Sequence, residues 1–347
     1  MRRLAWCVAL GLAGTASVAL ADSVEDFYKG RQVKLVIGAN TGGSYDSYGR
    51  LLAAHLGRHI AGNPTVVPTN MPGASGIQSA SYLFQLAPCD GSVLGMFNQS
   101  MAQRQVLEPD SIRFDSGRFN WLGAMSNSTT VFITWHASGV KTLEDAKRKV
   151  VVMGALSGDG GNAVYPLLLN RFLGTRFKVV LGYQGGNTIQ LAMERGEVDG
   201  RGSVIWSGLK AGWPQWIAER KINVILQLGL SKEPELTDVP LLIDLAKTPD
   251  EEAIYRFISS DTAMGFPVVA PPCVAPDVAD ALRNAFEQTM ADPAFRSDAE
   301  KRGLSVRFVS GAAVQRIVSS LIATPKDVIA ILKRSLEQAR LDSKAGK

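Results

Sequence analysis

Lys34-Leu35-Val36-Ile37, followed four residues later by Gly42-Gly43-Ser44-Tyr45-Asp46, is an apolar strand that runs into a glycine-rich loop and opens a helix. The first amides of a helix have no intrahelical partner and sit at the positive end of the peptide dipoles. Glycine lets a ligand approach that bare backbone, so the junction is an anion trap. Two later stretches repeat it: Val151-Val152-Met153 runs into the loop 154–162, and Val179-Val180-Leu181 into 182–187. Three such loops at the same topological place predict a binder of small carboxylates or phosphates.

Outward from the first junction the pattern alternates strand and helix. Tyr48, Leu51, Leu52, Leu56 and Ile60 recur at helical spacing and mark one buried face. Strands are predicted over 64–67 and 93–97, with a turn at 70–76 and a helix over 77–86. From Trp121 the pattern restarts, with a strand over 130–135, a short helix over 143–148, and helices that stop at Gly174 and Gly196. A strand over 198–204, a strand over 264–270 and helices over 278–290 and 293–302 follow. Such alternation predicts an α/β fold of parallel sheets with right-handed crossovers, whose ligand lies beyond the carboxyl ends of the strands. Residues 340–347 are charged, small and uncapped, and are expected to be disordered.

The chain starts with Met1-Arg2-Arg3, an apolar run over 4–18 and Ala19-Leu20-Ala21, the form of a secretory leader cut before Asp22. An export signal implies the periplasm. Removing 1–21 leaves 326 residues, enough for two lobes. It also removes Arg2 and Arg3, so 35 basic residues face 32 acidic ones, a net charge of +3. That charge is too mild and scattered for a nucleic-acid protein. Cys89 and Cys273 remain; one disulfide is open to them, but their distance along the chain favours two unpaired cysteines.

His55 and His59 stand four apart on the first helix, a spacing that can hold zinc, yet no third ligand accompanies them and no metal is expected. There is no Gly-x-Ser-x-Gly elbow for a hydrolase and no dinucleotide or phosphate-loop fingerprint, so neither catalysis nor a cofactor is expected. Trp206, Trp213 and Trp216 are candidates for an aromatic wall, with core packing the commoner use of such residues.

The order of motifs resembles the periplasmic receptors of tripartite tricarboxylate transporters, the Bug-type solute receptors. The residues that carry the resemblance are Gly42-Gly43-Ser44 with Asp46, Asn70-Met71-Pro72-Gly73-Ala74 with Gly76, Asp90-Gly91, Tyr183 with Gly185-Gly186, Gly196-Glu197-Val198-Asp199, and Ala291-Asp292-Pro293. The resemblance implies a two-lobed periplasmic-binding-protein fold, a Venus flytrap of type II kind. Lobe 1 would comprise 22–126 with 264–347, and lobe 2 would comprise 127–263. It implies a monomeric, non-enzymatic receptor that captures a small carboxylate and delivers it to membrane transporter subunits. An exported enzyme acting on an acidic substrate, or a receptor for a sensor kinase, are the alternatives.

The expected site joins Gly42, Gly43, Ser44, Tyr45 and Asp46 of the first loop to Gly73, Ala74 and Gly76 of the second. From the other lobe come Ser157, Asp159, Asn162, Gln184, Gly185, Gly186, Arg201 and Ser203. This chain departs from the family where Asn40-Thr41 precedes the double glycine, where Tyr45 replaces a small residue, and at Gly200-Arg201-Gly202-Ser203. Arg201 has two competing roles: a fork for a ligand carboxylate, or a structural partner of Asp199 or another acid.

Overall fold

The computed structural model describes residues 24–127, 129–158 and 160–344; the expected leader over 1–21 and the candidate Asp159 lie outside them. The chain builds two sheets. The first has six strands in the order β11-β4-β10-β3-β1-β2, with β1 Gln32–Ile37, β2 Thr65–Asn70, β3 Val93–Met96, β4 Asn120–Ser126, β10 Gly265–Ala270 and β11 Val309–Ser310. The second has five in the order β7-β6-β8-β5-β9, with β5 Thr130–Trp135, β6 Val151–Gly154, β7 Phe177–Val180, β8 Gly200–Ile205 and β9 Ile222–Leu228. The fold is the two-lobed α/β type the sequence predicts.

Alternation along β1 decides how the first sheet is sandwiched. Val33, Leu35 and Ile37 share a cluster with Tyr48, Leu51 and Leu52 of α1 (Ser44–Leu56). Val36 turns the other way, to Ala80 and Leu83 of α2 (Ile77–Gln85). A period of two in a strand against 3.6 in a helix forces this sorting.

Both sheets are mixed rather than parallel. β1 runs parallel to β2 and β3, and β6 to β7 and β8, as expected. β10, however, is antiparallel to β3 and β4, and β5 is antiparallel to β8 and β9. β4 carries the chain out of the first sheet, β5 starts the second only four residues later, and β10 receives the returning chain; these crossing strands run against their neighbours.

The same arrangement corrects the expectation for the cysteines. Cys89 and Cys273 form a disulfide, with Cα atoms 5.1 Å apart. Cys89 lies just before β3 and Cys273 just after β10; antiparallel pairing brings the start of one strand beside the end of the other. Separation along the chain carried no information about this contact.

The C-terminus is also corrected: residues 340–344 continue a helix over Lys326–Lys344. Val328, Leu332, Leu336 and Ala339 of that helix are buried, and it packs against the helix Gly161–Leu173 that follows β6. Arg340 anchors it by donating to the carbonyl of Gly158 at 2.9 Å and pairing with Glu108. Among the described residues no helix is long and apolar enough to cross a membrane.

Candidate functional site

A cavity of about 370 Å³ lies between the two sheets, lined by the loops that follow β1, β2, β3, β6, β7 and β8. Four helices start at its wall: α1 at Ser44, α2 at Ile77, the helix Gly161–Leu173 and the helix Gly186–Glu194. Their N-cap residues are Gly43, Gly76, Gly160 and Gly185, which have no side chain to cover the first helical amides, though Thr188 Oγ1 accepts the Gly185 amide itself at 3.1 Å. Of the helices that start elsewhere, those at Met101 and Pro276 also lack a side-chain cap, but others have one. Thr142, Thr248, Asp292 and Ser310 each cap their own helix with a side-chain oxygen. Bare amides gathered around one cavity make it electropositive without a matching number of cationic side chains.

Gly43, Ser44, Tyr45, Gly73, Ala74, Gly76, Ser157, Asn162, Gln184, Gly185, Gly186, Arg201 and Ser203 all line this cavity. Gly42 and Asp46 stand behind it. The Asp46 carboxylate accepts the Gly42 amide at 3.0 Å, Nε of Arg50 at 2.9 Å and Nδ2 of Asn70 at 2.9 Å. Burial pushes this carboxyl's pKa up, but the bonds from Arg50, Gly42 and Asn70 together outweigh it and leave the pKa below its ordinary value. Asn70 also donates to the Ala39 carbonyl, so Asp46 and Asn70 tie the first two loops together.

The second loop holds Gly73, Ala74, Ser75 and Gly76 at φ of +133°, +44°, +53° and +100°. Left-handed alanine and serine are unfavourable conformations, and here they lie against the cavity. Arg104 holds the loop in place by donating to the Ala74 carbonyl at 2.9 Å.

Arg201 sits on β8 beside a bulge. Val204 pairs with Val131 and Arg201 with Ile133, so Gly202 and Ser203 together oppose Phe132. Ser203 takes a φ of +56°, and a Cβ on Gly202 would meet the Phe132 ring at 2.8 Å. The bulge leaves Arg201, Ser203 and Ile205 all facing the cavity. A Cβ on Gly186 would come within 2.5 Å of Nη1 of Arg201, so the second glycine of Gly185-Gly186 leaves room for the guanidinium.

No ion pair of Arg201 exists among the described residues. Asp199 is engaged elsewhere, accepting the Val152 amide at 2.8 Å. Burial lowers the Arg201 pKa to about 10, which leaves it charged at neutral pH, and its Nε has no hydrogen-bond partner. Gln99, Asn162, Gln190 and Asp261 likewise line the cavity with one buried polar atom each that lacks a partner.

The two sheets' loops touch across the cavity mouth. Ser75 Oγ lies 2.7 Å from Ser157 Oγ, and Asn40 Nδ2 donates to the Gln184 carbonyl.

Sequence reasoning missed Ser75, Asn98, Gln99, Gln190 and Asp261. Asn98 and Gln99 follow β3 directly, and the rule that ligands sit beyond strand carboxyl ends pointed to them. Asp261, in the 3-10 turn before β10, had no signal. Of the three tryptophans only Trp213 reaches the cavity; Trp206 and Trp216 are buried and hydrogen-bond Glu235 and Glu194. His55 and His59 contact Asp298 and Asp292 at 2.9 and 3.0 Å, which makes Asp292 of the Ala291-Asp292-Pro293 motif a structural link to the 3-10 turn Gly57–His59 that follows α1. Among the described residues no three metal-ligating side chains gather.

With this geometry in hand the chain can be set beside known proteins. It is 23% identical to the UPF0065 protein in the gbd 5'region of Cupriavidus necator, over 92% of each chain. The periplasmic binding protein BugD superposes with a TM-score of 0.69 at 18% identity, covering 89% of this chain and 98% of BugD. Rpa4515 of R. palustris, solved with adipate, gives 0.67 at 18%, covering 87% and 97%.

The chain has the fold of the Bug-type solute-binding proteins. No family model matches it. The resemblance seen in the ordered motifs thus extends to the architecture of both sheets.

Proposed function

We propose that this protein is a periplasmic receptor that captures a small carboxylate between its two lobes and delivers it to a tripartite tricarboxylate-type membrane transporter. The observation that carries the reading is Arg201, a shielded guanidinium with no acidic partner among the described residues, facing a cavity rimmed by four helix N-termini without side-chain caps. Removing a cation from water is costly unless an anion joins it. A ligand carboxylate supplies that anion and offers two oxygens that match the planar fork. Rpa4515, which shares the fold, was solved with the dicarboxylate adipate.

In this reading lobe 1 is the stretch 22–126 with 264–347 and lobe 2 is 127–263. Amides at Gly43 to Tyr45 and at Gly73 to Ser75 take the acid first, and Arg201, Ser203, Asn162 and Gly186 complete the site as the lobes close. Among the described lining residues there is no histidine or cysteine, so the enzyme alternative lacks a nucleophile–base pair of the usual kind.

Native mass spectrometry of the purified protein, followed by calorimetry with the acid it retains, tests the reading. A retained carboxylate whose binding is lost in Arg201→Ala is the expected result. A sugar or nucleotide in its place, or turnover of the acid, would overturn it.

A further inference from the structure

Asp261 is the acid that lines the cavity among the described residues, as Arg201 is the cation, and the role of receptor leaves it unused. It is 3% exposed and its Oδ1 has no hydrogen-bond partner. Its Oδ2 lies 3.0 Å from the Tyr165 hydroxyl.

The neighbouring bonds bear on which way that contact runs. Nε2 of Gln103 donates to the carbonyls of Phe257 and Ile258 at 2.7 and 3.2 Å, which leaves Oε1 as an acceptor. The Tyr165 hydroxyl is 2.9 Å from that Oε1 and has one proton to give. That proton serves Gln103 Oε1 or Asp261 Oδ2, and a neutral Asp261 carboxyl that donates from Oδ2 to the Tyr165 oxygen lets both contacts be hydrogen bonds at once. Burial acts in the same direction, raising its pKa to about 7. The groups facing it are Tyr165, Gln103 and Tyr45, and the nearest cation acting on this network is Arg104 beside Tyr165. Oδ1 remains an acceptor with nothing to accept.

Resting on the carboxylate-receptor reading, we infer that the ligand is a small amino acid, its carboxylate held by Arg201 and the helix amides and its ammonium by Asp261. One cation and one acid in an otherwise uncharged lining are matched by a ligand that carries both charges, since the half-buried Arg201 and the buried Asp261 then each meet an opposite charge. A plain carboxylic acid leaves Oδ1 unpaired. The positive charge of the ammonium favours ionisation of Asp261, whose Oδ2 proton leaves to solvent, and Asp261 then binds as a carboxylate, accepting from Tyr165 as well.

The test is calorimetry at pH 6 with the proteinogenic amino acids, the des-amino acid of each and the matching α-hydroxy acids, on wild type, Asp261→Asn and Arg201→Lys. Binding in buffers of different ionisation enthalpy counts protons. An amino acid should bind on the order of 10- to 100-fold tighter than its des-amino and hydroxy analogues and release about one proton. Asp261→Asn should erase that preference and the proton release. Arg201→Lys should weaken every acid. Des-amino or hydroxy acids that bind as tightly as the amino acid, or a preference that survives in Asp261→Asn, would overturn the assignment of Asp261 while leaving the receptor intact. Failure of every acid to bind would overturn both.

Discussion

Arg201 is the residue on which the site turns, and its surroundings say what each substitution does. Lysine keeps the charge but loses the planar fork, so Arg201→Lys should weaken the retained ligand by roughly 1.5 to 3 kcal/mol, and Arg201→Ala by more. Gly186→Ala probes the same group without touching its charge. The new methyl would stand 2.5 Å from Nη1, and the flexible guanidinium can move away. The variant should therefore fold normally and lose affinity, which calorimetry and thermal melting together would establish; an unchanged affinity would mean that the guanidinium's position does not matter. Asp261 makes a different prediction, on stability. Its pKa rises on folding from 3.8 to about 7, so between these values the folded protein holds a proton that the unfolded chain has released. Stability from this group is full below pH 4 and is lost as pH rises through 7. The melting temperature of wild type minus that of Asp261→Asn should fall between pH 5 and pH 8 in the absence of ligand, and a flat difference would contradict a neutral carboxyl.

At the scale of elements, the first glycine junction is open to a clean experiment. Gly43 has an ordinary φ of −92°, and a Cβ there would come no closer than 4.0 Å to its nearest neighbour, the Asn40 carbonyl oxygen. Gly43→Val should fold with near wild-type stability while its side chain covers the amides of α1, costing binding on the order of 100-fold, or about 3 kcal/mol. Native affinity would remove the first loop from the site. These junctions were legible because they rest on local signals: an apolar run of period two, a glycine where the helix opens, and helical spacing after it. The same locality explains the failures. The disulfide, the antiparallel β10 and Asp261 in the turn before it all depend on a strand that returns from the second sheet, and no window of sequence reports which strand it joins. The bulge at Gly202-Ser203 could not be read either, because it exists only against Phe132 of the partner strand. Residues 340–344 were mistaken for a tail because they form the charged end of a helix whose hold on the protein lies upstream, in buried Leu332, Leu336 and Ala339 at helical spacing.

Across the whole molecule, two sets of cross-links hold together what the chain separates. The disulfide joins positions 184 residues apart. In the chain-entropy account, a loop of that length contributes up to about 5 kcal/mol, so Cys89→Ser with Cys273→Ser should lower the melting temperature by several degrees, with ligand affinity nearly intact because neither cysteine lines the cavity. The contacts across the mouth should behave in the opposite way. Ser75 to Ser157 and Asn40 to Gln184 link loops of the first sheet to loops of the second, so they exist only when the two sheets are close and they favour the closed arrangement over an open one. Each is worth about 1 kcal/mol net, enough to change the closed population several-fold. Ser75→Ala combined with Asn40→Ala should leave the melting temperature of the ligand-free protein within about a degree and raise the dissociation rate of the bound acid by roughly tenfold or more. Small-angle X-ray scattering of that variant without ligand should give a larger radius of gyration than wild type, and saturating ligand should bring the two together, since a ligand that touches both lobes supplies the closure energy that the removed bonds had given. Equal radii and equal dissociation rates would mean that these contacts report closure without driving it.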